Sequence, residues 1–172
     1  MDNRLDVPLG ILKLPVPLKE DYNRRQKLIE LIEKPLWTIT GKCAKDTLIP
    51  DLVSICKVND QHQFIIFDAK YYNAHLEKGI VPTGQPGIES ITKQYLYQLA
   101  YQRFIEDHKF SSVKNCFLLP TENNEIEDKG EVRMEMLSNL GLQDIKIRLI
   151  PATMAYDLYL SGSKMDMERL DL

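Results

Sequence analysis

The chain has 172 residues, of which 44% are hydrophobic and 27% are charged, and its formal net charge is −3. This composition is typical of a globular protein, and a chain of this length buries enough surface to fold without disulfides or a structural metal. The small negative charge excludes a protein that holds nucleic acid by bulk positive charge alone. The excess acid lies late in the chain, because residues 1–110 hold 15 Lys and Arg against 14 Asp and Glu, whereas residues 111–172 hold 7 against 11. An anionic ligand is therefore compatible with the first two thirds of the sequence.

Three further features predict a cytoplasmic location. No apolar run approaches the roughly 18 residues that a membrane-spanning helix needs. The first residues lack the basic and then apolar layout of a signal peptide. Cys43, Cys56 and Cys116 are unevenly spaced in apolar stretches, which favours buried, reduced thiols.

The first third of the chain predicts an arm, a helix and three strands. Residues 1–19 contain three prolines and predict an extended arm. Residues 20–33 are rich in helix formers and end before Pro35, which predicts a helix. Strand-like runs follow at residues 36–43, 48–58 and 63–72. The turn-forming pair Asn59-Asp60 predicts that the second and third runs form an antiparallel hairpin.

The remaining residues alternate between helical and strand-like patterns. Residues 78–87 are rich in Gly and Pro and predict a loop. We then expect a helix at residues 88–108, a strand at 113–119, a loop at 121–130, a helix at 131–140 that ends at Gly141, and a strand at 145–150. Together the elements predict one α/β domain with a mixed sheet.

The end of the third strand carries the chemistry. Four apolar residues, Phe64 to Phe67, lead directly into Asp68, Ala69 and Lys70. Alternation along a strand places Asp68 and Lys70 on one face, and the hairpin lets Asp51 approach Asp68 from the neighbouring strand. Two carboxylates at the ends of apolar strands are costly unless something binds there, and Mg²⁺ favours such oxygen ligands. In such a site Lys70 would orient an attacking water and stabilise negative charge on a phosphate.

An acid-x-Lys triplet alone is a weak signal. The sequence contains four of them, which begin at Asp68, Asp107, Glu127 and Asp144. Only Asp68 closes an apolar strand and has a Pro-Asp pair on the preceding strand. The alternative interpretation is that Asp68 and Lys70 merely form a salt bridge at a strand end.

These residues resemble a known signature. Pro50-Asp51, followed 17 residues later by Asp68-Ala69-Lys70, is similar to the motif of PD-(D/E)XK nucleases. The element order over residues 20–119 resembles the αβββαβ core of that superfamily. The resemblance implies a restriction-endonuclease-like α/β fold with a central mixed β-sheet flanked by helices. Residues 120–172 would add a C-terminal helix, a strand and a tail to this single domain of residues 1–172.

Two stretches narrow the resemblance within the superfamily. Residues 67–72 and 93–101 are similar to the nuclease subunits of LlaJI-type and McrBC-like restriction systems, including the C-terminal domain of McrC. This similarity implies a Mg²⁺-dependent DNA endonuclease, with Mn²⁺ able to substitute, that works beside an AAA+ GTPase subunit. A homodimer is a further expectation.

The resemblance assigns roles to residues that match the motif. Asp51 matches the first metal-binding acid and Asp68 the second, with the backbone carbonyl of Ala69 as a further metal ligand. Lys70 matches the catalytic lysine. These four residues form the predicted catalytic and metal-binding group.

Two positions in the family pattern have several candidates here. The family often adds an acid from the first helix, for which Glu30 is favoured over Glu33 because Glu33 abuts the predicted helix end. Relatives also carry a Gln and a Tyr on the helix after the motif, and Gln94, Gln98 and Tyr101 share one helical stripe. The alternatives are surface acids on an amphipathic helix and polar residues that flank a packed helix.

Two other functions fit the same core. One is a noncatalytic DNA-binding or assembly module with a degenerate nuclease fold, and the other is a DNA-repair exonuclease or junction resolvase. The Gly/Pro-rich loop at residues 78–87 lacks the Gly-Lys-Ser/Thr of a phosphate-binding loop, so we do not expect NTP hydrolysis there.

Overall fold

A five-stranded mixed sheet forms the centre of the computed structural model, which describes residues 3–172. The strands of the chain are Leu36–Trp37 (β1), Lys42–Cys43 (β2), Leu52–Val58 (β3), Gln61–Ala69 (β4), Ser112–Thr121 (β5), Glu127–Val132 (β6) and Ile145–Pro151 (β7), and the α-helices are Ile88–Asp107 (α1) and Ala152–Ser161 (α2). The sheet order is β3-β4-β5-β7-β6, with β4, β5 and β7 parallel and the two edge strands antiparallel. The predicted α/β fold with a mixed sheet flanked by helices is confirmed.

The predicted hairpin is formed by β3 and β4. Asn59 and Asp60 occupy its turn with φ angles of 48° and 63°, a left-handed conformation that Asn and Asp tolerate better than other non-glycine residues. The pairing runs from Val58 opposite Gln61 to Leu52 opposite Phe67. One step further along this register, Asp51 lies opposite Asp68.

Helix α1 connects the parallel strands β4 and β5, as a crossover between parallel strands requires. Its buried residues Tyr97, Tyr101 and Phe104 pack in one cluster with Phe64 and Ile66 of β4. The side chains of β4 that alternate with these two face the other side of the sheet. Strand β4 is therefore covered on both faces, which explains why its apolar run is continuous.

The second face of β4 packs against the C-terminal segment. Ile65 and Phe67 share a buried cluster with Cys116 of β5, Ile150 of β7 and Leu170 near the C-terminus. Helix α2 follows β7 directly and lies on this side of the sheet, beside the carboxyl ends of the parallel strands.

The helix predicted over residues 20–33 is wrong. The structure forms only a short 3₁₀ turn there, at Leu28–Leu31. The amide of Ile29 donates a hydrogen bond of 3.0 Å to the carbonyl of Leu5, and Pro8 and Lys27 form an antiparallel bridge. Backbone pairing with the N-terminal arm therefore overrides the local helix propensity.

The single strand predicted over residues 36–43 is also wrong. The segment folds back on itself, because β1 pairs antiparallel with β2 and Gly41 adopts a φ of +64° between them. This small hairpin leaves Cys43 exposed, contrary to its predicted burial, whereas Cys116 is buried as predicted. All three thiols are free.

The C-terminal third differs most from the prediction. Strand β6 lies partly in the predicted loop at residues 121–130, and the helix predicted at 131–140 is replaced by the end of β6 and a 3₁₀ turn at Glu135–Leu140. Cross-strand pairs of opposite charge, Asp128 with Arg148 and Glu131 with Lys146, favour the sheet edge over a helix. The sequence patterns did not predict helix α2. Within residues 3–172, none of the helices is both long enough and apolar enough to cross a membrane.

Candidate active site

The candidate site lies where β3 begins and β4 ends. Asp51 immediately precedes β3, and Asp68 is the second-last residue of β4. The Ala69 amide donates a hydrogen bond of 2.8 Å to Asp51 Oδ2, which fixes the Asp51 carboxylate against the end of β4. The Asp51 carboxyl lies close enough to the Asp68 carboxyl to raise its pKa. The predicted approach of these two acids across the hairpin is therefore present in the structure.

Lys70 completes the group. Its Nζ lies 2.6 Å from Asp68 Oδ2, and the two side chains are 23% and 5% exposed. Its backbone amide donates to the carbonyl of Leu118 at 2.9 Å, so the parallel pairing with β5 continues past the end of β4 and positions the lysine. The salt bridge considered as an alternative exists, and Asp51 lies beside Asp68 on the preceding strand, which a simple strand-end salt bridge does not require.

The environment of Asp68 disfavours its charged form. Burial, which is the largest cause, and the neighbouring Asp51 carboxyl together raise the pKa of Asp68 to about 6 against the opposing effect of the Lys70 ammonium. The buried Asp68 and the exposed Asp51 therefore lie side by side with only partial compensation of their negative charge by Lys70. Such a pair is stabilised in its ionised form by an added cation.

Helix α1 forms the wall next to these carboxylates. Gln94 Nε2 donates a hydrogen bond of 2.9 Å to the carbonyl of Ile66, and its Oε1 is buried with no hydrogen-bond partner. Tyr97 lies one helical turn further along and donates from its hydroxyl to the carbonyl of Ile49 at 2.9 Å. Burial and the negative charges of Asp68 and Asp51 raise the pKa of Tyr97 to about 12.

Sequence reasoning missed Tyr97. Its hydroxyl holds the carbonyl two residues before Asp51, so it supports the segment that carries the first acid. The sequence did contain a signal for Tyr97, because it follows Gln94 by three residues and both side chains therefore lie on the face of α1 that meets β4.

The two glutamine candidates have different surroundings. Gln98 Oε1 accepts hydrogen bonds from Asn115 Nδ2 at 2.8 Å and from the Gln143 amide at 3.0 Å, so it ties α1 to β5 and to the segment before β7. Gln94 instead contacts the backbone of β4, the strand that carries Asp68. Tyr101 is fully buried and packs against Phe64 with a ring separation of 5.2 Å.

The glutamates of the N-terminal region belong to the segment that is not helical. Glu30 Oε2 accepts from the Lys27 amide at 2.8 Å, so its carboxylate caps its own 3₁₀ turn. Glu33 is exposed, and its backbone carbonyl accepts from the Thr47 hydroxyl at 2.5 Å. Among the described residues, the contacts of Glu30 are with its own turn, and the structure gives it no contact with Asp51 or Asp68.

The donor set fits a hard divalent cation. No three His, Cys, Asp or Glu side chains within residues 3–172 converge on one point. Mg²⁺ is commonly held by only one or two carboxylates together with waters, and the paired oxygens of Asp51 and Asp68 meet that requirement. Gln94, on the helix that packs against β4, adds a buried amide oxygen without a hydrogen-bond partner.

The mixed five-stranded sheet flanked by helices is that of a restriction-endonuclease-like α/β protein. The chain belongs to the LlaJI restriction endonuclease family, whose family model matches residues 19–158. It is also similar to the "Type II restriction enzyme BsuMI component YdjA" of Bacillus subtilis (strain 168), with 29% identity over 158 residues. That alignment covers 88% of this chain and 32% of the relative, so the chain spans about a third of the relative's length. No solved structure gives a significant match to this chain.

Proposed function

We propose that this chain is the DNA-cleaving part of a restriction system and acts as a metal-dependent endonuclease with Asp51, Asp68 and Lys70 at its centre. The observation that carries the proposal is the 2.6 Å ion pair of Lys70 with the buried Asp68 at the end of β4, next to Asp51, whose carboxylate accepts from the Ala69 amide. Membership of a restriction endonuclease family supports phosphodiester hydrolysis as the reaction.

The carboxylates of Asp51 and Asp68, with the backbone carbonyl of Ala69, would hold Mg²⁺ or Mn²⁺. When bound, the cation supplies positive charge that polarises a phosphodiester and makes a nearby water more acidic. The Ala69 amide keeps the Asp51 carboxylate in place through its 2.8 Å hydrogen bond. Asp68 must lose its proton to serve as a ligand, so binding is coupled to the pKa of this carboxyl.

Lys70 contributes a fixed positive charge beside the carboxylate pair. Its ammonium lies 2.6 Å from Asp68 and remains partly exposed, so it is accessible to a phosphate that approaches the site. We assign to Lys70 the orientation of the attacking water and the stabilisation of the negative charge that develops on the phosphate. Gln94, whose Oε1 has no partner, is the favoured glutamine of the site.

Substitution of the central residues tests the proposal. Asp68→Ala and Lys70→Ala should each abolish Mg²⁺-dependent cleavage of a supercoiled plasmid while circular dichroism shows an intact fold. Lys129→Ala is a matched control, because Lys129 forms a similar acid-x-Lys pair with Glu127, at 3.0 Å, on a different strand. Undiminished cleavage by Asp68→Ala would refute the assignment. The circular substrate distinguishes an endonuclease from an exonuclease, which requires ends.

Calorimetric titration with Mn²⁺ distinguishes the nuclease from a noncatalytic module. The wild-type chain should bind Mn²⁺, and both Asp51→Ala and Asp68→Ala should lose that binding. No heat above background for the wild-type chain would favour a DNA-binding or assembly role.

The proposal extends to a partner, an AAA+ GTPase subunit. The relative is described as a component of a restriction enzyme, which indicates an assembly of more than one chain. The Gly/Pro-rich loop at residues 78–87 lacks a phosphate-binding signature, so a separate subunit would supply nucleotide hydrolysis. Co-purification of the tagged chain from its natural host should recover such a subunit, and GTP should increase the rate of cleavage by the complex above that of the chain alone. Equal cleavage by the complex with and without GTP would contradict this part of the proposal.

A further inference from the structure

A groove of about 660 Å³ lies at the carboxyl ends of β4 and β5, between the sheet and helix α2. The groove lies on the face of the sheet opposite Asp68. Ala69 and Leu52 line it, and each directly follows an acid of the candidate site, so their side chains point to the other face of the sheet. Its walls carry three tyrosines, Tyr71 from the segment after β4 and Tyr156 and Tyr159 from α2.

The tyrosines are unusually exposed. Tyr71, Tyr156 and Tyr159 are 93%, 69% and 82% exposed, respectively. Tyr156 and Tyr159 are three residues apart and therefore lie on the same side of α2. Helix α2 has no fully buried residue, although most of its side chains are apolar or aromatic. Exposed aromatic side chains grouped around a groove are typical of a binding surface.

The groove shares a wall with the candidate active site. Ala69 and Lys70 line it, and the same two residues bind Asp51 and Asp68 on the other side of the strand end. A molecule in the groove would therefore be separated from Asp68 only by the end of β4, with Lys70 in contact with both sides.

The chemistry of the lining selects the ligand. Within residues 3–172, Lys70 is the one charged residue among those that line the groove, and the rest of the lining is almost entirely aliphatic or aromatic. A phosphate inside the groove would therefore have no second cation to bind it. A planar, uncharged ring fits such a lining, because aromatic side chains stack on nucleobases of any sequence.

We propose that the groove binds an unstacked nucleobase of the DNA strand, next to the phosphate held at Lys70. This inference rests on the proposed nuclease function and adds the conformation of the substrate. A base can enter the groove only after it leaves the double-helical stack, so the preferred substrate has a locally unpaired or flipped nucleotide at the cleavage position.

DNA binding by tyrosine variants of the full chain tests the proposal. The probe is a fluorescein-labelled single strand of about 12 nucleotides, measured by anisotropy in EDTA so that no cleavage occurs. The double variant Tyr156→Ala/Tyr159→Ala should bind about tenfold more weakly than wild type. Tyr156→Phe/Tyr159→Phe should retain the affinity, because the ring and not the hydroxyl makes the contact. Trp37→Ala is the control, since Trp37 is an aromatic residue of β1 with 64% exposure outside the groove.

A second probe with the same backbone but abasic sites distinguishes bases from phosphates. It should bind the wild-type chain as weakly as the intact probe binds the double alanine variant. Equal affinity of the wild-type chain for the intact and abasic probes would overturn the proposal. Equal affinity of the wild-type and alanine chains for the intact probe would also overturn it. A change from dimer to monomer in the alanine variant, with DNA binding unchanged, would assign the groove to a second copy of the chain instead.

The two proposals fail in different ways. If the groove proposal is wrong, Mg²⁺-dependent plasmid cleavage and its dependence on Asp68 are still expected. If the nuclease proposal is wrong, the wild-type chain neither binds Mn²⁺ nor cleaves DNA. The DNA-binding experiment in EDTA requires neither Mn²⁺ binding nor cleavage, so its result is interpreted separately.

Discussion

The buried carboxyl of Asp68 should make the metal-free protein less stable as pH rises. Burial raises the pKa of Asp68 from 3.8 to about 6 in the folded chain, with the neighbouring Asp51 acting in the same direction. The folded state therefore holds this proton more tightly than the unfolded state does. The resulting stabilisation is fully present below pH 3.8 and is lost as pH rises through about 6.

The size of the effect follows from the difference between the two pKa values. A shift of about two units corresponds to about 3 kcal/mol of unfolding free energy, and the opposing influence of Lys70 is already contained in the shift. Asn at this position has a similar shape and cannot ionise. Relative to wild type, Asp68→Asn should therefore gain up to about 3 kcal/mol between pH 4 and pH 8.

Urea unfolding in EDTA, followed by circular dichroism at a series of pH values, measures this difference. Asp157→Asn is the matched control, because Asp157 is an exposed carboxylate on α2 and its substitution makes the same change of charge. Parallel stability curves for wild type and Asp68→Asn over this pH range would refute the argument, since they would mean that folding does not change the proton affinity of Asp68.

Three further predictions concern the site and its supports. Mn²⁺ affinity should fall by up to about tenfold per pH unit below pH 6, because the cation and the proton compete for the Asp68 carboxylate. A constant Mn²⁺ affinity in calorimetry from pH 5 to pH 7 would contradict this prediction. Arg148→Ala should lower the free energy of unfolding by roughly 1–3 kcal/mol in urea titrations. The side chain of Arg148 is 2% exposed, and it donates a hydrogen bond of 2.6 Å to the carbonyl of Leu170, which holds the C-terminus against the sheet. A decrease in unfolding free energy below about 1 kcal/mol would show that this contact contributes little to stability. Gln98→Ala should lower stability by about 1–3 kcal/mol, because the buried Asn115 amide and the Gln143 backbone amide both lose the acceptor that Gln98 provides. Mn²⁺ affinity should stay unchanged, and a loss of that affinity would place Gln98 in the metal site.

The sequence alone determined the hairpin and the main group of the candidate site. The turn pair Asn59-Asp60 and the period of two along a strand are local features, and together they place Asp51 opposite Asp68 and Lys70 on the same face. The long helix α1 was predictable for the same reason, since its apolar residues recur at helical spacing over 20 residues.

The choice between similar candidates required the tertiary structure. Gln94 and Gln98 share one stripe of α1, and only the packing of that helix shows that Gln94 meets β4 while Gln98 meets β5. Tyr97 was overlooked because its partner, the carbonyl of Ile49, lies 48 residues away in the chain.

The segments predicted wrongly share a physical cause. Residues 20–33 have helical propensity, but their backbone amides pair with an arm that precedes them by about twenty residues. Strand β6 forms because its charges match those of β7 at the sheet edge, and α2 is an apolar helix that lies on the sheet without a buried residue of its own. Local propensity is worth only fractions of a kcal/mol per residue, so hydrogen bonds and packing between distant segments decide such cases. The sequence by itself therefore determined which acids and lysine meet at the end of β4. Only the tertiary structure decided which side chains support them and where the tyrosine groove lies beside them.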